Sequence, residues 1–513
     1  MLRKTRIFLA SLVGIVMTLM FLDFTGNVAE AFGFLAKIQF LPAVLAGSML
    51  VVVGLLVVTL LWGRVYCSVI CPMGILQDLI SRLGGRGRKN RFGWKPAHTV
   101  CRWTVLVLFV GLIATGFSAV AMLLAPYSLF GRTVSTFLSP LYRWGNNLLA
   151  MLPESVHDYW LVPVEISAPA VATTVTTTLL FLLVAVLAWR GGRTYCNTFC
   201  PVGTLLGCVA RFSFWKPRID TDRCNGCGKC ARNCKAACID PKAHRIDASR
   251  CVACFDCLEN CPSGALKYTL PLGKKGVETT TEIPKSGLER RQLLTLAMLL
   301  ATGGTSLAAE KKEEKIKFDG GLTKLVPRET PTRTVSPTPP GSGSPEAFAQ
   351  RCVACQLCVQ GCPNHVLRSS DGLKTFYQPQ MIFTQGYCRP ECHHCSDVCP
   401  TGAIRKITES QKETIQIGYA VWMRDQCVVL TDGVPCGNCE RHCPSQAIEM
   451  VPSDPTQPES LKVPLVQVEK CIGCGSCEYH CPARPQSAIY VEGTVVHTEK
   501  VSEVQEDEIG NAA

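Results

Sequence analysis

Twenty-four of the 31 cysteines in this chain fall into six clusters, each closing on two cysteines with three residues between them. Four clusters have the spacing C-x2-C-x2-C-x3-C: Cys224, Cys227, Cys230, Cys234; Cys251, Cys254, Cys257, Cys261; Cys352, Cys355, Cys358, Cys362; and Cys471, Cys474, Cys477, Cys481. Two are stretched variants: Cys388, Cys392, Cys395, Cys399, and Cys427 with Cys436, Cys439, Cys443. A cube of iron and sulfide needs four converging soft thiolates, and this spacing supplies three from one short loop while the fourth crosses to a neighbouring cube. Zinc ribbons use paired C-x2-C units without such four-cysteine runs into proline. A disulfide framework belongs to short secreted chains rather than to 513 residues with apolar spans. Proline follows the last cysteine at five of the six clusters. The exception is Cys234, followed by Lys235, with Cys238 nearby as a substitute ligand. The pattern predicts six [4Fe-4S] clusters.

The elements that must carry these clusters divide into a membrane half and a cluster half. Hydrophobic residues make up 47% of the chain and the net charge is +12. Apolar runs at Ile7–Leu22, Leu41–Trp62, Trp103–Leu124 and Val171–Trp189 come near the ~20 residues that a bilayer core requires. The first run, flanked by Arg3, Lys4, Arg6 and Ala29-Glu30-Ala31, reads as a retained anchor, with a cleaved signal peptide as the alternative. Segments 1–6, 82–102 and 190–218 carry 15 Lys and Arg, against only Lys37, Arg132 and Arg143 in 23–40 and 125–170. The N-terminus and the 82–102 loop are therefore expected in the cytoplasm. The positive charge is topological and calls for no nucleic-acid partner. A fifth apolar run, Gln292–Ala309, follows Arg290-Arg291. A Pro/Thr/Ser/Gly-rich stretch then predicts a linker, and Val501–Ala513 reads as a disordered tail.

The membrane half contains a repeat. Residues 63–76, GRVYCSVICPMGIL, and 192–205, GRTYCNTFCPVGTL, agree at eight of fourteen positions. Pro72 and Pro201 suit the first turn of a helix, where the missing N–H is no loss. Ile75, Leu76, Leu79, Ile80 and Leu83 then share one helical face, which predicts a helix lying along the cytoplasmic interface. A duplicated unit should bring Cys67, Cys71, Cys196 and Cys200 together about a pseudo-twofold axis. The alternatives are a seventh metal site, a thiol redox pair touching quinone, or packing cysteines without chemistry. Cys101 and Cys208 fit no pattern and read as small buried hydrophobes.

On these motifs, residues 1–270 resemble the NapH-type membrane iron–sulfur protein, with four spans, two C-x3-C-P motifs and a two-cluster ferredoxin domain. Residues 288–500 resemble the NapG or MauM type, with a segment similar to a twin-arginine export signal and four clusters. That segment lacks the usual Ser before the arginine pair and a Phe after it, and the alternative is an interfacial helix. The chain thus resembles a fusion of the two types: a multidomain protein with an α-helical membrane bundle, four spans plus a fifth, and α+β bacterial-type ferredoxin domains. The expected domains are 1–218 membrane, 219–272 two-cluster ferredoxin, 288–309 signal-derived span, 310–345 linker, 346–500 four-cluster ferredoxin and 501–513 tail. In the first ferredoxin domain, Cys224, Cys227, Cys230 and Cys261 should hold one cluster, and Cys251, Cys254, Cys257 and Cys234 the other. The resemblance implies that in the second domain the first motif pairs with the fourth and the second with the third.

The resemblance further implies a quinol dehydrogenase module in the bacterial inner membrane. Electrons would pass from menaquinol or ubiquinol to a periplasmic oxidoreductase or cytochrome c, such as the nitrate reductase system, with the first ferredoxin domain cytoplasmic and the second periplasmic. Alternatives are donation to nitrous oxide reductase, or a membrane ferredoxin serving metalloenzyme maturation or redox sensing. No nucleotide, flavin or haem motif is present, and the catalytic residues are unknown from sequence. Proton acceptors for quinol would come from His98, Asp78, Glu30, Glu154 or Asp158, though each reads as a surface charge before it reads as a base. His393, His394 and His442 lie inside cluster motifs, where they could tune potentials by bonding to sulfur.

Overall fold

In this computed structural model the described residues are 1–23, 25–84, 92–151, 163–164, 170–270 and 326–499. The fifth apolar run, the twin-arginine-like segment, Glu154, Asp158 and the C-terminal tail lie outside them.

The membrane half is helical. Two helices are long and apolar enough to cross a bilayer, α1 (Leu2–Leu22) and a later one, Val171–Gly191. The run expected over Leu41–Trp62 is divided: α2 (Phe40–Leu45) ends before Gly47, whose φ of +68° an L side chain rarely adopts, and α3 (Met49–Trp62) resumes at an angle. A short helix α4 (Val65–Val69) and then α5 (Pro72–Leu83) follow, with Pro72 in the first turn as its missing donor allows. The run over Trp103–Leu124 is likewise interrupted, because α6 (Thr99–Ala114) stops before Gly116, at φ +83°. Next come α7 (Pro126–Thr133), α8 (Val171–Gly191), and the second copy of the repeat as α9 (Thr194–Thr198) and α10 (Pro201–Ala210).

Helix α5 turns the expected apolar face outward. Its polar side, Gln77, Asp78 and Ser81, is buried against α1, α7 and α8, while Leu79 and Leu83 face outward. Ile75 packs against Gly14, in the middle of α1. A helix with polar groups inside and leucines outside suits lipid surroundings, where buried polar groups must find partners within the protein.

The first ferredoxin domain is built from short strands and single-turn helices around cysteine loops. Strand β1 (Lys216–Ile219) pairs antiparallel with β2 (Leu266–Thr269), closing the domain's two ends together. The second domain is framed by β3 (Ile415–Trp422) and β4 (Ile489–Glu499), also antiparallel. The stretch expected as a linker is ordered from Arg328 onward and straps the second domain. Gly493 N–H donates to the Val335 carbonyl, Arg405 N–H to that of Gly341 and His497 N–H to that of Gly343. Arg333 pairs with Glu478 at 2.5 Å. Proline and glycine richness marks an extended conformation, and here the neighbouring domain satisfies its backbone.

Candidate iron–sulfur sites

Each C-x2-C-x2-C loop repeats one backbone device. The residue before the second cysteine and the one after it have positive φ: Gly226 and Gly228, Ala253 and Phe255, Ala354 and Gln356, Gly473 and Gly475. These turns fold three thiols toward one point, and two loops hold non-glycine residues in that rarely populated region. Of the stretched motifs, the one with Arg389-Pro390-Glu391 between Cys388 and Cys392 contains no positive φ, and the one from Cys427 to Cys443 has it at Gly433, before its first close pair.

Six groups of four cysteines emerge from the loops and their partners. Cys224, Cys227, Cys230 and Cys261 line one cavity; Cys251, Cys254, Cys257 and Cys234 line another, together with Cys238. Cys427, Cys436, Cys439 and Cys481 line a third. Cys352, Cys355, Cys358 and Cys399 lie in mutual electrostatic reach. So do Cys388, Cys392, Cys395 and Cys362, and likewise Cys471, Cys474, Cys477 and Cys443. The second domain therefore pairs its first motif with its second and its third with its fourth, correcting the first-with-fourth arrangement. Adjacent motifs fold on each other because their crossing cysteines leave helices 357–360 and 394–398, and 438–441 and 476–480, packed in pairs.

The donor set fits iron–sulfur clusters. All 31 cysteines are free of disulfides. Backbone N–H groups turn to the sulfurs: Ala354 to Cys352 at 3.4 Å, Ile404 to Cys399 at 3.4 Å, Ala447 to Cys443 at 3.2 Å and Ala488 to Cys481 at 3.3 Å. Such donors stabilise sulfur charge. Burial pushes the Cys254, Cys355, Cys439 and Cys474 thiols up to about 12, so metal must displace their protons. Cys238 lies 3.5 Å from Cys234 and, by hydrogen bonding, holds that thiol down while its own rises. Among the described residues no three His, Cys, Asp or Glu converge tightly enough for a single ion, as cages wide enough for a cluster require.

The first and second motifs of the second domain lie against the helical half. Gly131 in α7 touches the Cys355 loop so closely that a Cβ there would lie 2.3 Å from the Cys355 carbonyl. The buried Tyr127 hydroxyl reaches toward the Cys355 thiol. Cys388 N–H donates to the Cys474 carbonyl, joining the second motif to the fourth. Further contacts seat the domain: Ser118 Oγ on the Ala349 carbonyl at 2.6 Å, Ser139 on Gln360 at 2.5 Å and Thr177 with Tyr377 at 2.6 Å.

The two repeat units meet. Cys67, Cys71, Cys196 and Cys200 are all buried and lie within electrostatic reach of one another. Tyr195 Oη donates to the Leu124 carbonyl at 2.8 Å, beside α7, and Tyr66 Oη donates to Gln39 at 2.9 Å. On the other side, Arg64 reaches the Ser249 carbonyl at 2.9 Å, two residues from Cys251. The four thiols thus sit between the two ferredoxin domains. Cys101 and Cys208 are half-buried, and Cys208 donates to the Thr204 carbonyl.

The expected proton acceptors separate. Asp78 is locked among Arg6, Arg193 at 2.8 Å and Lys235 at 3.3 Å, an arrangement that excludes it as a free base. His98 and Glu30 are exposed. The three histidines engage other groups than sulfur: His393 pairs with Asp397 at 2.8 Å, the His394 ring packs on Gly26 and Gly361, and His442 stacks on His480 at 3.8 Å. Arg64, Arg193, Tyr127 and Tyr195 were not singled out from sequence. For Arg64, Arg193 and Tyr195 the signal was the Gly-Arg-x-Tyr-Cys opening shared by both repeats; Tyr127 lies outside it.

Fold and site together define an iron–sulfur electron-transfer protein with apolar helices long enough for membrane association. A family model described as a 4Fe-4S binding domain matches residues 44–91 and again 173–219, and one described as a 4Fe-4S dicluster domain matches 434–484. The methylamine utilization ferredoxin-type protein MauM of Paracoccus denitrificans is 30% identical over 159 residues, 30% of this chain and 69% of that protein. The chain belongs to the family of ferredoxin-type proteins that includes MauM. The ferredoxin-type protein NapG of Escherichia coli is 32% identical over 143 residues, 26% of this chain and 61% of NapG. YccM of Escherichia coli is 29% identical over 204 residues, 38% of this chain, and the chain spans about half of that relative, 47%. No solved structure matches the chain.

Proposed function

We propose that this chain is a fusion of a NapH-type membrane component with a MauM- or NapG-type ferredoxin, and that it carries electrons from membrane quinol to a periplasmic acceptor such as nitrate reductase. The four spans are α1, α2 with α3, α6 and α8, and the first ferredoxin domain lies on the cytoplasmic side. The observation supporting this reading is the buried four-thiol site, with the Cys251 loop packed on one side of it and the helix that meets the Cys355 loop on the other. Six [4Fe-4S] clusters would be held by the six groups described above, with Cys234 as ligand and Cys238 as its S–H donor. Bound clusters supply one-electron carriage, and a quinol's two electrons leave singly. The chain's own residues fix the spacing, exclude water and donate hydrogen bonds to sulfur. Cys67, Cys71, Cys196 and Cys200 are proposed as a seventh metal site, supported by the 4Fe-4S family model falling on both repeats.

Iron analysis of anaerobically purified protein tests the reading. Six cubes give about 24 iron atoms per chain and a seventh brings the total to about 28. A value near 16, or stoichiometric zinc, contradicts it.

A further inference from the structure

The two repeats exchange arginines. Arg64 donates from Nη2 to the Cys196 carbonyl at 3.3 Å and approaches the Cys67 sulfur at 3.8 Å. Arg193 donates from Nη1 to the Cys67 carbonyl at 2.7 Å and approaches the Cys196 sulfur at 3.9 Å. Each arginine thus faces the sulfur of its own repeat's first cysteine and caps the first cysteine of the other repeat. Both are completely buried. The glycines that follow each Cys-Pro explain their place in the motif. A Cβ on Gly74 would lie 2.4 Å from Arg193 Nη1, and one on Gly203 would lie 3.0 Å from Arg64 Nη2. The motif therefore encodes a reciprocal clamp: glycine in one repeat opens the slot that the other repeat's arginine fills.

The charge needs an explanation. Arg193 is paired with Asp78, yet Asp78 is also held by Arg6 and Lys235, so this buried group keeps an excess of positive charge. Arg64 has only neutral acceptors: Asn197 Oδ1, the Ser249 and Cys196 carbonyls, and a thiol. Arg193 Nη2 and Arg64 Nε are buried without a hydrogen-bond partner. A buried, unpaired guanidinium is destabilising by several kcal/mol. Arg64, with no carboxylate partner, and Arg193, which shares Asp78 with two further cations, both turn toward the thiols and mark a place where a negative charge belongs.

We infer that Arg64 and Arg193 are the paired counter-charges of an iron–sulfur cluster held by Cys67, Cys71, Cys196 and Cys200, and that they set its reduction potential. This rests on the seventh-site reading above. A cube with four thiolate ligands carries a net charge of about −2 oxidised and about −3 reduced. Two arginines neutralise the oxidised form and hold the added electron in a low-dielectric site. One electron enters and one leaves, with no bond made or broken. Both arginines act as positioning and tuning residues, since their contacts are to sulfur and to ligand backbone.

The test is an anaerobic redox titration of the full-length protein by electron paramagnetic resonance, with iron and sulfide content measured on the same samples. Wild type should hold about 28 iron atoms; a value of about 24 with no seventh signal removes the underlying site itself. Given the signal, Arg64→Gln should keep all iron and shift that one potential downward by at least a tenfold change in the reduction equilibrium, about 59 mV. Arg64→Lys should restore most of the shift. If Arg64→Gln instead strips only the intramembrane iron while Arg64→Lys retains it, charge is again the requirement. An unchanged potential with full iron, or loss of iron in both variants, overturns the inference.

Discussion

Lys235 Nζ lies 3.3 Å from Asp78 Oδ2, linking the residue that follows the fourth cysteine of one cluster to a helix of the membrane half. The same ammonium is 2.9 Å from Asp256, and Asp256 in turn accepts from Arg3 at 2.9 Å. The one cluster that lacks its proline has a lysine because that position fastens the first ferredoxin domain to α1 and α5. Removing one member of a buried ionic group leaves its partners uncompensated, which destabilises by about 3–5 kcal/mol. Lys235→Ala should therefore lower the unfolding temperature clearly and loosen the first domain. Exchange of Arg3 or Glu259, whose 2.5 Å contact is half-exposed, should do much less. Equal effects at both places would contradict this division.

The pairing of motifs is open to a direct check. Cys399→Ser should remove the cluster shared with Cys352, Cys355 and Cys358, the one beside Tyr127, and leave the cluster of Cys388, Cys392 and Cys395 in place. Spectroscopy of that variant should show one cluster lost. Loss of the Cys388 group instead would restore ligation within single motifs.

The repeat glycines should tolerate no side chain. A Cβ on Gly74 would come 2.3 Å from the Cys67 carbonyl, and one on Gly203 2.2 Å from the Cys196 carbonyl. Overpacking of this kind destabilises by about 1–3 kcal/mol or more. Gly74→Ala and Gly203→Ala should both reduce thermal stability and iron retention, whereas Gly54→Ala in α3, with open space around it, should be silent. A silent Gly74→Ala would contradict the reciprocal clamp.

Much of this was legible in the chain, for reasons that differ by element. Thiol spacing is a local property, so the cluster loops stand out without any tertiary knowledge, as does the duplication around Cys67 and Cys196. Which motifs pair depends on how helices 357–360 and 394–398 pack, and sequence spacing is silent on that. The face of α5 was visible as a pattern, but which groups its polar side meets (Arg6, Arg193 and Lys235 around Asp78) depends on packing that spacing does not reveal. Residues 328–344 look like a linker because they lack apolar periodicity, yet they are held through main-chain hydrogen bonds that composition does not reveal.

That strap should respond to acid. Desolvation holds His497, half-buried beside Thr338, down to about 4. An unfolded histidine titrates near 6.5, so between these values the unfolded state binds more protons and stability rises with pH. The contribution is complete above about pH 6.5 and is lost as pH falls toward 4. Hydrogen exchange, corrected for intrinsic rates, should show residues 335–344 opening on acidification, and His497→Gln should flatten the response. Opening that is identical in the variant would assign it elsewhere.

The most direct test of the whole account is whether electrons reach the second ferredoxin domain through the four buried thiols of the repeat. Protein in vesicles, supplied with a quinol, should reduce the clusters of residues 346–500. A variant with Cys67, Cys71, Cys196 and Cys200 all changed to Ala should keep the six ferredoxin clusters loaded, about 24 iron atoms, and lose that reduction. Full quinol-dependent reduction in the quadruple variant would contradict the account.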